Sequence, residues 1–231
     1  MHDDRGQHRA VRSYVLRAGR MTPAQGRALA TLLPRYGLDL AALGTPRQAF
    51  AQALPLHFEI GIGNGDNLLA MAAARPDRAF IGCEVHRPGL GHLLNRLDGH
   101  ALDNLRVVEA DAWQALAALP DASLAGAYMF FPDPWPKKRH HKRRLLRDDF
   151  LVLLAAKCAP QACFFFASDD ADYAEQARET LARASGWRNL AGPRAWAPRP
   201  QRRIVTRFEA RARRAGRAVY ELVAARRPEP A

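Results

Sequence analysis

Short apolar segments separated by polar loops recur along the chain from Leu56 onward. They lie at residues 56–60, 79–84, 104–109, 124–131 and 162–167. Apolar runs of this length, each with a glycine or an acid at its end or within two residues after it, predict buried strands. The intervening segments predict helices at residues 68–74, 88–97, 113–119, about 148–158 and 171–184. Alternating strands and helices predict a parallel sheet with helices on both faces.

The chain before the first predicted strand has a different pattern. Residues 2–20 carry five arginines and few apolar residues, which is typical of a mobile basic arm or of a terminus without a role. Thr22-Pro23 is a favourable start for a short helix, which should run to about Leu33 and stop at Pro34. Residues 35–55 indicate irregular structure.

The pattern changes again towards the C-terminus. Residues 188–200 are rich in proline, tryptophan and arginine and indicate an ordered loop, whereas 203–213 and 217–224 predict an antiparallel hairpin. The predicted fold is therefore α/β, doubly wound and Rossmann-like, with a mostly parallel seven-stranded sheet and a C-terminal antiparallel hairpin. We expect a basic arm and short helix over 1–50, the α/β domain over 51–226 and a frayed tail over 227–231.

The net charge of the chain indicates that its binding partner is a polyanion. The 231 residues contain 35 Lys and Arg against 23 Asp and Glu, a net charge of +12. Such a balance favours nucleic acid over an anionic membrane as the partner. An arginine-rich protein from a GC-rich genome would also be basic, but that reading leaves the clustering at 137–144 unexplained.

The cysteines and the N-terminus bear on the compartment. Cys83, Cys158 and Cys163 form no C-x-x-C pair, so we expect reduced thiols, no metal site and a cytoplasmic protein. The first residues lack an apolar signal-peptide core, and no stretch reaches the ~18 apolar residues of a membrane span. We therefore expect no membrane partner.

A glycine-rich loop follows the first predicted strand. Gly61, Gly63 and Gly65 stand between a strand and a helix, where a ligand can approach the backbone closely. Nicotinamide enzymes share this layout, but the G-x-x-G spacing of their motif is absent here. Glu59 would also repel a pyrophosphate, while it would suit an ammonium or a sulfonium. A nicotinamide oxidoreductase is thus a disfavoured alternative.

Two further acids end the next two predicted strands. Glu84 is placed to accept both hydroxyls of a ribose, and Asp111-Ala112 can contact an adenine through side chain and backbone. With Glu59, this set predicts S-adenosylmethionine as the cofactor. The alternative is that these are only solvated acids at strand ends.

The segment after the fourth predicted strand combines a rigid loop with a dense cationic run. Pro132, Pro134 and Pro136 exclude helix and central strand, and they hold Asp133 as the only acid of the loop. Six Lys/Arg and two His follow at 137–144, where they can neutralise phosphates or form only a solvated loop. Trp135 could stack on a base or pack internally.

Most of the chain resembles the bacterial tRNA (guanine-N7-)-methyltransferases, which methylate guanine 46 in the variable loop. The resemblance is carried by R-S-Y-V at 12–15, G-R-M-T at 19–22, E-I-G-I-G-N-G at 59–65, G-C-E-V-H at 82–86, D-A at 111–112, F-P-D-P-W-P-K-K-R-H-H-K-R-R at 131–144 and T-R-F-E at 206–209. The proline-tryptophan-basic block is very specific, whereas the glycine loop is not.

The resemblance implies a class I methyltransferase fold and a role for each matched position. The cofactor S-adenosylmethionine would be bound by Glu59, Gly61, Gly63, Gly65, Glu84, Asp111, Ala112 and Asp133. Asp133 would also be the active-site acid. Substrate guanosine or its surroundings would contact Lys137, Asp169, Thr206, Arg207, Phe208 and Glu209, and tRNA would contact Arg139, His140, His141, Lys142, Arg143 and Arg144.

Several C-terminal positions depart from the family pattern. Asp170 replaces an aromatic residue and Ile204 replaces a proline, while Ala212 and Arg217 replace a glycine and a histidine. These changes put details of the predicted hairpin in question but leave the proline loop intact. The sequence leaves open a monomer or a homodimer.

The implied chemistry needs no strong base, because guanine N7 carries a lone pair and no proton. Alignment should supply most of the rate, and Asp133 should stabilise the cationic product ring, with Asp169 and Glu209 helping. Two alternatives keep part of this interpretation. One is a methyltransferase for another RNA or for a protein, and the other is a tRNA-binding protein with an inactive pocket.

Overall fold

The computed structural model describes residues 13–14, 20–97, 102–201 and 203–228. Most of the predicted arm and the last residues of the predicted tail lie outside these ranges. The helices are α1 (Pro23–Tyr36), α2 (Asp66–Ala74), α3 (Arg87–Leu97), α4 (Ala112–Ala118), α5 (Asp148–Lys157), α6 (Ala171–Arg183) and α7 (Arg207–Arg214). The strands are β1 (Gly37–Leu38), β2 (Leu56–Ile60), β3 (Ala79–Glu84), β4 (Leu105–Glu109), β5 (Leu124–Phe130), β6 (Cys158–Ser168), β7 (Trp187–Asn189) and β8 (Tyr220–Arg226).

The strands form one sheet in the order β1-β4-β3-β2-β5-β6-β8-β7. Strands β1 to β6 pair in parallel, and β8 pairs antiparallel with both β6 and β7. The α/β prediction and the antiparallel C-terminal strands are confirmed, with the two-residue β1 as an eighth strand. The winding direction reverses between β2 and β5, which is where ligands bind in doubly wound sheets.

Two apolar layers hold the helices against the sheet. Buried residues of α1, α2 and α3 pack on one face, and those of α4, α5 and α6 pack on the other. In the described part of the chain, no helix is long and apolar enough to cross a membrane.

The predicted stop at Pro34 is wrong, because α1 continues through that proline to Tyr36. Proline removes only one helical hydrogen bond here, and the Gly37 N–H closes the last turn on the Leu33 carbonyl. Tyr36 is 2% exposed and lies in the layer formed with α3, so its burial offsets the lost bond.

The predicted strand over 203–213 is also wrong, because residues 207–214 form helix α7. The Thr206 hydroxyl accepts from the Glu209 N–H at 3.2 Å and caps the helix, and Glu209 and Ala212 form its buried side. The antiparallel partners of β8 are instead β6 and β7, and β7 lies in a stretch for which the sequence largely predicts a loop. A Thr three residues before a Glu is a helix-start signal that the alternating pattern obscured.

Candidate active site

A cavity of about 570 Å³ opens at the carboxyl ends of β2, β3, β4 and β5. Its wall includes Gly61, Gly63, Glu84, Asp111, Ala112 and Asp133, which are six of the positions predicted to bind the cofactor. Pockets for cofactors typically measure ~300–1,000 Å³, so the volume suits a nucleoside-sized ligand.

The glycine loop is open on the cavity side and closely packed behind. Gly61, Gly63 and Gly65 have φ of 69°, 57° and 74°, a region that favours glycine. A methyl group on Gly61 would meet nothing within 4 Å, whereas one on Gly65 would approach Leu93 to 2.7 Å. A ligand can therefore lie against Gly61, while Gly65 is away from the cavity wall.

Glu84 is fixed by backbone donors. One carboxylate oxygen accepts from the Gly63 N–H at 2.8 Å, and the other accepts from the N–H groups of Val85 and His86 at 2.8 and 2.9 Å. A carboxylate has about four acceptor positions, so one remains for a ligand hydroxyl. The arrangement joins the glycine loop to the end of β3.

Asp111 connects β4, α4 and the N-terminal arm. It caps α4 by accepting from the Trp113 N–H at 2.9 Å, and its second oxygen lies 3.5 Å from the Ser13 hydroxyl. The Ser13 carbonyl accepts from the Trp135 indole N–H at 3.1 Å. Ser13 and Tyr14 thus line the cavity, held between the acid and the proline loop.

Glu59 lies behind the glycine loop and not on the cavity wall. Its carboxyl group is 4% exposed and accepts from the Asn67 side-chain amide at 3.2 Å. Its second oxygen has no hydrogen-bond partner among the described residues. Burial raises the pKa of Glu59 to about 8, which outweighs the lowering effect of the Asn67 hydrogen bond. The position supports an indirect role, through α2.

Asp133 is an exposed acid on the cavity wall, without a hydrogen-bond or ion-pair partner in the described chain. Residues on either side of it, Phe131 and Trp135, have φ of 53° and 48°, which is strained for bulky side chains. Packing holds this backbone in place, because Phe131 stacks on Phe208 with ring centroids 6.2 Å apart. The loop therefore presents a free carboxylate to the cavity.

The basic run forms a short 3-10 helix over Lys138–Arg143. Its exposed side chains are Lys137, Lys138, Arg139 and Lys142. His140 lies edge-on to Trp135, with ring centroids 5.8 Å apart, and Arg143 lies over the same ring at 4.8 Å. Desolvation and the surrounding cations lower the pKa of His140. His141 lies 3.5 Å from Asp172. Trp135 is 8% exposed, so it packs internally and is not free to stack on a base.

Arg144 differs from the rest of the run because it is only 1% exposed. Its guanidinium donates to the Pro134 carbonyl and to Gln176, both at 2.8 Å, and to Asp172. The Arg144 hydrogen bond lowers the pKa of Asp172. Arg144 ties the proline loop to α6, so the expectation that it contacts tRNA is withdrawn.

The predicted substrate positions of the C-terminal segment divide in the same way. Arg207 and Phe208 line the cavity, whereas Thr206 caps α7. Glu209 is buried among Arg199, Arg203 and Arg213 and is away from the cavity wall. These contacts show that Thr206 and Glu209 position α7. Their contact with the substrate stays a prediction.

The comparisons with known proteins identify the family. A family model described as "Putative methyltransferase" matches residues 53–222. A tRNA (guanine-N(7)-)-methyltransferase of Alkalilimnicola ehrlichii is 46% identical over 226 residues, which cover 96% of this chain and 95% of that protein. A protein of the same name from Nitrosococcus oceani is 47% identical over 218 residues, covering 94% of this chain and 91% of that one.

The chain belongs to the tRNA (guanine-N(7)-)-methyltransferase family. This confirms the resemblance found in the sequence. Among solved structures, the 16S rRNA methyltransferase KamB matches with a TM-score of 0.57, covering 79% of this chain and 92% of that one. At 17% identity this likeness shows the fold alone, and it agrees with the predicted Rossmann-like methyltransferase fold.

One of the residues that depart from the family pattern, Arg217, forms an ion pair in the structure. Arg217, where a histidine was expected, donates to Asp169 at 2.7 Å. Asp169 is therefore paired in the described structure and does not reach the cavity wall. Ala212, where a glycine was expected, is fully buried in α7, a position that needs no glycine conformation.

Several residues on the cavity wall of this methyltransferase were not predicted as site residues, among them Ser13, Tyr14, Arg211 and Arg214. Ser13 and Tyr14 were noted only as part of the family resemblance, and no local pattern indicated their position. Arg211 and Arg214 line the cavity on α7 and were assigned to a hairpin. Recognition of the Thr206 cap would have placed both arginines on one helical face.

Proposed function

We propose that this protein transfers a methyl group from S-adenosylmethionine to N7 of guanine 46 in the variable loop of tRNA, forming 7-methylguanosine. The observation that carries the proposal is the free Asp133 carboxylate beside Glu84 and Asp111 in one cavity, within this family. The net charge of +12 supports a nucleic acid substrate.

The residues present suit the cofactor. Gly61 leaves space against the backbone, Glu84 keeps one acceptor position for ribose hydroxyls, and Asp111-Ala112 borders the same cavity. The bound cofactor supplies an electrophilic methyl group on a sulfonium. Ser13 and Tyr14 lie on the cavity wall, where they exclude water from a bound ligand.

Asp133 acts on the guanine. N7 needs no deprotonation before attack, so the protein's task is to align the base and to exclude water. A carboxylate at this position accepts from the N1–H and N2–H groups of guanine, which adenine does not offer in this pattern. It also stabilises the positive charge that the ring gains on methylation. The exposed Lys137, Arg139 and Lys142, with the partly buried His140 and Arg143, supply phosphate and base contacts to the tRNA.

The test is methyl transfer from labelled S-adenosylmethionine to an unmodified tRNA transcript, followed by nucleoside analysis. We expect label in 7-methylguanosine with a transcript carrying guanine 46, and none with adenine at that position. Asp133→Asn should lower kcat/KM by about 100-fold or more, as loss of a transition-state contact does. Label in another nucleoside would refute the stated substrate, and near wild-type transfer by Asp133→Asn would refute the role of Asp133.

A further inference from the structure

Helix α7 and the turn after it carry two groups of arginines. Arg213 and Arg217 are each paired with an acid, Glu209 and Asp169 respectively. The second group lines the cavity and consists of Arg207, Arg211 and Arg214, all exposed. Within the described residues none of these three forms an ion pair. Three unneutralised cations beside a ligand cavity call for an anionic ligand.

The spacing of this group indicates an extended anion. Positions i, i+4 and i+7 lie on one helical face, and a rise of 1.5 Å per residue separates Arg207 from Arg214 by about 10 Å. A single carboxylate, such as that of a bound amino acid group, does not span this distance. Like charges at i and i+4 also repel each other, a cost that a bound polyanion removes.

The arginine face of α7, which carries Arg207, Arg211 and Arg214, adjoins the candidate catalytic acid Asp133. Phe208 on α7 stacks on Phe131, two residues before Asp133, and all three line the same cavity. A guanine placed at Asp133 would bring its flanking phosphates past α7.

We propose that Arg211 and Arg214, together with Arg207, form a second RNA-binding surface that holds the backbone phosphates next to the target guanosine. This inference rests on the proposed function. It is independent of the basic run at 137–143, which lies on a different element. Arg211 and Arg214 are its new members, because Arg207 belongs to the T-R-F-E segment already expected near the substrate.

The experiment measures the affinity of the full-length protein for a tRNA transcript between about 50 and 200 mM salt. We expect Arg211→Gln and Arg214→Gln each to weaken tRNA binding about tenfold. Each should also lower the salt slope, the dependence of log affinity on log salt concentration, by about one, and the double variant should lower it by about two. Glutamine has nearly the helix propensity of arginine, so α7 should persist, which circular dichroism checks. Lysine at both positions should keep the slope.

Arg188→Gln is the matched control, since Arg188 is an exposed arginine on β7 that does not line the cavity. Its salt slope should equal that of the wild type, and an equal loss of slope in this control would overturn the inference. An unchanged slope in Arg211→Gln/Arg214→Gln would overturn it as well. In that case wild-type methylation of guanine 46 would leave the proposed function standing. Wild-type protein that neither binds nor methylates tRNA would instead refute the proposed function.

Calorimetry with S-adenosylmethionine alone separates the two anions that the arginines could bind. We expect the double variant to keep wild-type affinity for the cofactor. A loss of cofactor affinity with an unchanged tRNA salt slope would assign the arginines to the cofactor carboxylate and overturn the proposal.

Discussion

Replacing Glu209 by glutamine tests whether this acid positions α7 or touches the substrate. Its side chain is 1% exposed and meets Arg199, Arg203 and Arg213 at 2.8, 2.7 and 2.5 Å. Arg203 is itself 2% exposed and is shared with Glu221. A neutral amide at 209 would leave three guanidinium groups around one remaining carboxylate.

The expected cost follows from burial. Removing one partner of a buried ion pair costs ~3–5 kcal/mol. Arg199 and Arg213 are 29% and 54% exposed, so water compensates part of the loss, and we expect about 3 kcal/mol. For a chain of this size, that corresponds to a fall in Tm of roughly 6–12 °C. Urea unfolding at pH 7 gives the free energy directly.

At acid pH, the difference in free energy of unfolding between the wild type and Glu209→Gln should disappear. Burial alone would raise the pKa of Glu209, but the Arg199 hydrogen bond and the charges of Arg203, Arg199 and Arg213 hold it below its ordinary value. Because its folded-state pKa is lowered, the Glu209 carboxylate stabilises the protein above the unfolded pKa of about 4.3. The protein loses this stabilisation as the pH falls through the folded-state pKa. Glu209→Gln should therefore have a flatter acid limb.

Glu179→Gln is the control, since Glu179 pairs with Arg194 on the surface at 3.1 Å and should change stability by less than about 1 kcal/mol. Glu209→Gln should lose methyl transfer together with stability, because α7 carries part of the cavity wall. Wild-type stability with abolished transfer would refute this reasoning and place Glu209 at the substrate, as the family resemblance implies.

Three further changes test other parts of the site. The Glu59→Gln variant should have a free energy of unfolding a few kcal/mol higher than the wild type at pH 9, but little higher at pH 5. The buried carboxyl, with a folded pKa of about 8, destabilises the wild type as the pH rises from the unfolded pKa to that value. Parallel pH profiles from urea unfolding would contradict this. Trp135→Phe removes the bond to Ser13 and should weaken cofactor binding about fivefold in calorimetry, whereas unchanged affinity would exclude a role for that bond. Gly89→Ala places a methyl group 2.2 Å from the Gly63 carbonyl oxygen and should destabilise the protein by ~1–3 kcal/mol and weaken cofactor binding; an unaffected variant would show that the loop yields freely.

The sequence predicts those site residues that lie at the carboxyl ends of the parallel strands. Glu84, Asp111 and Asp133 each follow a short apolar run, and parallel strands bring their carboxyl ends to one edge of a sheet. All three line the cavity. Local pattern and topology were sufficient here, because these positions depend on backbone register and not on the details of side-chain packing.

Predictions failed where tertiary contacts decide the outcome. Residues 207–214 alternate like a strand, but burial of Glu209 in an arginine cluster and the Thr206 cap favour a helix. Arg144 looked like part of a solvated run, and only the folded position of α6 shows that it is buried. Such partners lie 10 to 32 residues away in the chain, beyond the reach of local patterns.

The position of β8 between β6 and β7 has a consequence for how the protein matures during synthesis. Residues 220–226 are made after α7, yet they separate two strands that were made earlier and that do not pair with each other. A nascent chain can form the parallel strands β1 to β6 and the strand-end acids before this segment appears. Helix α7 lies between β7 and β8 in the chain and bonds to β8 through the Arg203 cluster, so its arginine face is completed last. We therefore expect cofactor affinity to appear in the growing chain before the arginines of α7 can hold RNA.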